Sequence, residues 1–164
     1  MYRSAIVCLA WALTACGPGG APKPPMGAGD PAFTGVQARG RLAMGVNQYT
    51  SRHVFEPLPD GGRIALQRDV ADSVGAAQIR RHMGEIARRF AAGDFTLPGF
   101  VHARVVPGTE IMAARRAAIA YAVDTLPRGA ALRIRTADST AIRAIHEFLA
   151  FQRHDHHAGA HADS

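Results

Sequence analysis

One short plan occurs twice in this chain, and it narrows the fold more than any other feature. Leu58-Pro59-Asp60-Gly61 and Leu126-Pro127-Arg128-Gly129 are matching turn signals. Runs that alternate apolar and polar residues flank each of them: His53 to Leu58 and Arg63 to Arg68 around the first, Ile119 to Val123 and Ala131 to Thr136 around the second. A Pro/Gly turn between alternating runs specifies a β-hairpin. Asp72-Ser73 and Asp138-Ser139 then offer helix caps, the second opening a helix to about His156. Behind the first cap, Ala76, Ile79, Met83, Ile86 and Phe90 recur at three- and four-residue spacing until Gly93 stops the helix. The expected fold is α+β: two ββα-like halves form an antiparallel sheet with two helices packed on one face. Between the halves, Phe100 to Val106 reads as a further strand, and Pro107-Gly108 turns into a short irregular stretch around Met112.

The N-terminus reads as an address. Arg3 precedes the apolar run Ala5 to Leu13, which is long enough for a signal peptide and too short to span a bilayer. The run ends in Leu13-Thr14-Ala15-Cys16, which resembles a bacterial lipobox: small residues admit the peptidase, and the Cys16 thiol takes up the lipid. Residues 1–15 are therefore read as a lipoprotein signal peptide and Cys16 as the lipidation site, with no Asp following it to favour the inner membrane. This places the chain in the cell envelope, on the outer membrane and facing the periplasm. Residues 16–40 follow as the lipidated Cys and a flexible linker, because 17–40 contain seven Gly and five Pro. The single folded domain is then expected over 41–157, with 158–164 a disordered tail.

Composition excludes several chemistries. The two cysteines, Cys8 and Cys16, both lie in the leader, so the domain holds no disulfide, zinc ribbon, iron–sulfur cluster or thiol nucleophile. The formal charge is +6, and of the 19 basic residues only Lys23 is lysine. No aromatic stacking platform is interleaved with the arginines, and an exported protein meets no genomic DNA, so nucleic acid is not an expected partner. Ser51, Ser73 and Ser139 read as caps or turn residues. No G-x-S-x-G elbow, P-loop or G-x-G-x-x-G is present, and Glu85 and Glu147 read as solvated helix charges.

The eight histidines are the informative residues. On the last helix Ile142, Ile145, Leu149, Gln152 and His156 share one stripe, so two polar side chains continue a core face and need specific partners. His82 and His146 flank the apolar stripes of the two helices, and a pseudo-twofold axis would bring them together. His102 on its expected strand, together with Met112, would add donors. Imidazoles with a thioether and no thiolate suit copper, or zinc with a carboxylate such as Asp155. The candidate metal set is His82, His102, Met112, His146 and His156, with Gln152 as a structural polar residue. His53 and His161 are read as packing or surface residues, and His154 to His157 as a local chelating tail.

The chain also resembles a group of small bacterial proteins that sometimes carry the label aspartate carbamoyltransferase. The residues that carry this are Asp60-Gly61-Gly62, Ile79-Arg80-Arg81-His82, Ile86, Gly93-Asp94-Phe95, Val101-His102, Val106-Pro107-Gly108, Met112, and Ile145 to Gln152 through Asp155-His156. The resemblance spans nearly all of 45–157 and implies this α+β fold without assigning an activity. The label itself requires a Ser-Thr-Arg-Thr loop for carbamoyl phosphate, or four zinc-binding cysteines in a regulatory chain, and neither is present. The leading expectation is a membrane-tethered envelope binding domain with a transition metal, copper or zinc, as its ligand. The alternative is a structural or protein-interaction lipoprotein that docks another envelope protein. A transferase-like activity ranks third.

Overall fold

The computed structural model describes residues 30–45 and 47–158. The expected signal peptide, the expected lipidation site Cys16, residues 17–29 of the expected linker and residues 159–164 of the expected tail lie outside the described residues. Nine regular elements follow in order: α1 (Pro31–Met44), β1 (Ser51–Leu58), β2 (Gly61–Arg68), α2 (Ser73–Ala91), α3 (Thr96–His102), α4 (Thr109–Ala114), β3 (Ala120–Leu126), β4 (Gly129–Arg135) and α5 (Ser139–Asp155). The four strands form one antiparallel sheet in the order β1-β2-β4-β3. The second strand of each half lies at the centre, where Ile64 pairs with Leu132 and Ala65 with Ala131.

The repeated plan is present in detail. Asp72 accepts from the backbone N–H of Gly75 at 2.9 Å, and Asp138 accepts from Thr140 and Ala141 at 2.8 and 3.2 Å, so both long helices open on an aspartate cap. Their apolar stripes, Ile79, Met83 and Phe90 on α2 and Ile145, Phe148 and Leu149 on α5, bury Phe55, Ile64, Leu66, Leu132 and Ile134 on one face of the sheet. The helices are exchanged between the halves: α2 packs chiefly on β3 and β4, and α5 on β1 and β2. A polar clamp marks each docking. Arg80 of α2 donates to Leu126 O (2.8 Å) and Gly129 O (3.1 Å) at the second turn. His146 of α5 donates through Nε2–H to Leu58 O (2.9 Å) and Gly61 O (3.0 Å) at the first. The pseudo-twofold partner of His146 is therefore Arg80, and His82 and His146 do not face each other.

Two expectations about the elements are corrected. Residues 100–106 are not a strand: α3 occupies Thr96–His102, opened by Asp94, whose carboxylate accepts from Thr96 N at 2.9 Å. Val101 and His102 are adjacent and both buried, which a helix allows and a strand in a one-faced sheet forbids. The expected linker to residue 40 is also too long, because α1 starts at Pro31. Asp30 caps that helix by accepting from Ala32 N at 2.9 Å, and proline suits a first helical position. Phe33, Val36, Gln37 and Gly40 form the buried stripe of α1, which packs on α3. Arg39 Nε donates to Val101 O at 2.7 Å, and Phe33 stacks on His157 at 4.2 Å between ring centres. The domain thus reaches back at least to residue 30 rather than starting at 41, and at the other end of the described residues Ala158 still packs against the core.

The connection between the halves is seated by Gly108, at φ +80°, where α4 meets α5. A Cβ there would stand 2.1 Å from Ala144 O, so the backbone approach is available to glycine alone.

Candidate functional site

Where α1 closes over α2, α3, the end of α5 and the inner face of β1 and β2, the packing leaves a cavity of about 80 Å³. A single buried water needs roughly 10–15 Å³, so the space exceeds one water several-fold. Its floor and walls are apolar: Phe55, Leu66, Ile86, Phe90 and Phe148, with the thioethers of Met44 and Met83. Into this surface project His53 from β1, His82 from α2, His102 from α3, and Gln152 and His156 from α5. No Asp or Glu stands among the described lining residues.

His53 reaches the cavity because β1 alternates and it shares the inward face with Phe55, on which its ring stacks at 5.6 Å. Its other neighbour is His156, with ring centres 4.9 Å apart. Burial, and next the charge of His82, hold His53 down to about 4. Burial likewise pushes His82 down to about 4, against Glu85, whose charge raises it. His156 lies well below the ordinary histidine value, first through burial and then through His53, His102 and His157. At neutral pH these three imidazoles are uncharged. An uncharged imidazole offers a lone pair to a cation, or one donor and one acceptor to a polar ligand.

His102 stands in the wall in a different condition. Its side chain is 1% exposed, and its Nδ1–H donates to Asp155 Oδ2 at 2.5 Å. Asp155 is held in turn by Arg104, whose Nη2 donates to Oδ1 at 2.7 Å, and the Arg104 guanidinium lies 4.5 Å from the centre of the Phe151 ring. The other ring nitrogen, Nε2, meets the Gln152 amide at 2.9 Å. Gln152 is 5% exposed and is the partner that satisfies this imidazole. Both nitrogens of His102 are therefore engaged within the protein, which ties α3 to α5 and removes the residue from any ligand set.

The expected metal residues thus part company. His82 and His156 line the cavity, and His102 frames it without a nitrogen to give. His146 lies at the first hairpin turn, committed to two carbonyls. Met112 is fully buried in the core below α5. Among the described residues no three His, Cys, Asp or Glu side chains converge to hold a metal ion. Sequence reasoning passed over His53, Met44 and Met83. The signal for His53 was its two-residue spacing from Phe55. Met83 stood in the α2 stripe beside His82, and Met44 was hidden because residues 31–40 of α1 were read as linker, so no helix was drawn through it. Comparison with family models, with curated proteins and with solved structures finds no match for this chain.

Proposed function

We propose that this chain is a membrane-tethered binding domain of the cell envelope, anchored through Cys16, whose small ligand occupies the histidine-walled cavity beneath α1. One observation carries the reading: uncharged imidazoles from β1, α2 and α5 are gathered on an otherwise apolar, partly enclosed surface. Cavities of this make-up, apolar with a few convergent polar groups, are the usual seats of small ligands. The tether supports the assignment through its chemistry, since the Leu13-Thr14-Ala15-Cys16 run would hold the domain at a membrane while leaving α1 and the cavity in the aqueous compartment.

Two measurements test the reading. Cys16→Ala should move the protein out of the membrane fraction or leave an uncut precursor, and unchanged membrane association would refute the anchor. Native mass spectrometry of full-length protein taken from its own membranes should show an added mass that Ala43→Phe, which fills the cavity from α1, removes. Xenon gives an independent probe: its NMR shift should respond to the wild type and not to Ala43→Phe. With no added mass and no xenon response, the binding reading fails and docking to another envelope protein takes its place.

A further inference from the structure

Granting that the cavity holds the ligand, its size and surroundings narrow what the ligand is. A cavity of about 150 Å³ accommodates benzene. A space of about 80 Å³ is too small for such a ring and takes the last few carbons of an alkyl chain. His53, His82 and His156 are uncharged at neutral pH, and no carboxylate stands among the described lining residues. The space therefore suits the uncharged end of a ligand, because burying an unmatched charge is costly.

The cavity is not isolated. Ala43 and Met44 of α1 and His82 of α2 also line a groove that opens on the surface between the end of α1 and α2. Gln78, Arg81, Glu85 and Arg88 recur along α2 at three- and four-residue spacing and share one wall of it, with Arg80 beside them. The charges there are unequal. Glu85 is matched twice, by Arg88 at 2.5 Å and by Arg89 at 2.8 Å. Arg80 donates to the carbonyl oxygens of Leu126, Pro127 and Gly129, which leaves its charge uncompensated. Arg81 is exposed, adjoins His82 in the chain and forms no ion pair among the described residues. Guanidinium groups in this condition attract an anion, and their planar fork fits a carboxylate. An uncharged cavity that continues into a cationic groove matches an alkyl chain with an anionic head. We propose that the domain binds the anion of an unbranched carboxylic acid, its alkyl end in the cavity beneath α1 and its carboxylate in the groove beside Arg81.

The test is equilibrium dialysis of radiolabelled octanoate against the full-length protein held in phosphatidylcholine nanodiscs, with empty nanodiscs as the blank. One octanoate should bind per protein, and Ala43→Phe, which fills the passage shared by cavity and groove, should abolish binding. Labelled in the same way, octan-1-ol should bind about 5-fold more weakly for want of the charge, octylammonium more weakly still, and benzoate not at all. Arg81→Gln, a surface substitution, should reduce the preference for octanoate over octanol and leave octanol binding unchanged. Octanol or octylammonium binding as tightly as octanoate would overturn the anionic head, and benzoate binding would overturn the alkyl chain. A preference that survives Arg81→Gln in full would overturn the placement of the carboxylate. Displacement of octanoate by phosphatidylglycerol added to the discs would assign the head to a lipid phosphate and overturn the free acid. A xenon response without octanoate binding would overturn this ligand and leave the cavity reading standing. Absence of both would remove the two together.

Discussion

Acid should loosen this domain well above the pH at which its carboxylates begin to protonate, because of two histidines. In the unfolded chain a histidine takes up its proton near 6.5, whereas His53 and His82 in the folded protein resist it down to about 4. Between those values the unfolded state binds protons that the folded state refuses, so stability present above 6.5 is lost as pH falls and the loss levels off below about 4. Between pH 7 and 5 each residue should remove about 2 kcal/mol, a large share of the 5–15 kcal/mol typical of a domain. His156, displaced in the same direction, adds to the slope. Asp60, Asp72, Asp94, Asp138 and Glu85 act only lower, since all are held below the ordinary carboxylate range by hydrogen bonds and neighbouring cations. The assay is urea denaturation of metal-free protein at half-unit pH steps, comparing wild type with His53→Phe and His82→Phe. Each variant should flatten the pH 7-to-5 fall by about 2 kcal/mol. A wild-type stability that is level over this range, or a fall from pH 7 to 5 that neither substitution reduces, would refute the placement of uncharged imidazoles in the cavity wall.

Three further outcomes are expected. Gln152→Ala should cost about 1–3 kcal/mol in chemical denaturation by leaving Nε2 of buried His102 unpaired, while exposed His154→Ala should cost nothing measurable. Deleting residues 30–44 should lower the melting temperature by several degrees and raise binding of a hydrophobic dye, since burying Phe33 and Val36 contributes about 1.5–3 kcal/mol each; an unchanged melt would mean that α1 does not cover the core. Gly108→Ala should abolish cooperative unfolding or shift it drastically, because the new methyl group meets the Ala144 carbonyl of α5 at 2.1 Å; a shift below about 1 kcal/mol would show that the connection gives way easily.

How far the sequence could be read depended on whether the signal was local. Both hairpins were legible because a Pro/Gly turn and the two-residue period are adjacent in sequence, and both long helices because Asp72 and Asp138 stand directly before their apolar stripes. Residues 31–40 were misread because Gly35 and Gly40 weighed as breakers, although Asp30-Pro31 is a helix start and Phe33, Val36 and Gly40 keep helical spacing. Residues 100–106 were misread because Phe-Val-His-Ala-Arg-Val-Val fits either period over so short a run. The site was less legible than the fold. Gln152 could be found on its helix stripe, but the commitment of His102 to Asp155 spans 53 residues and that of His146 to Leu58 spans 88. No spacing along the chain encodes which imidazoles a distant carboxylate or carbonyl will occupy. That long-range choice took His102 and His146 out of the expected ligand set.

The exchange of helices between the two hairpins makes the domain a molecule that can be cut but not halved. If the chain is opened between Arg104 and Pro107, each fragment has a hairpin and a helix, but the helix has its main seat on the hairpin of the other piece. Neither fragment can hide its own apolar stripe, so the two should remain unfolded apart and fold when mixed, as complementing partners. The same geometry lets two intact chains trade their C-terminal portions through residues 103–119 and rebuild two complete heads. In each rebuilt head His53 and His82 would come from one chain and Gln152 and His156 from the other.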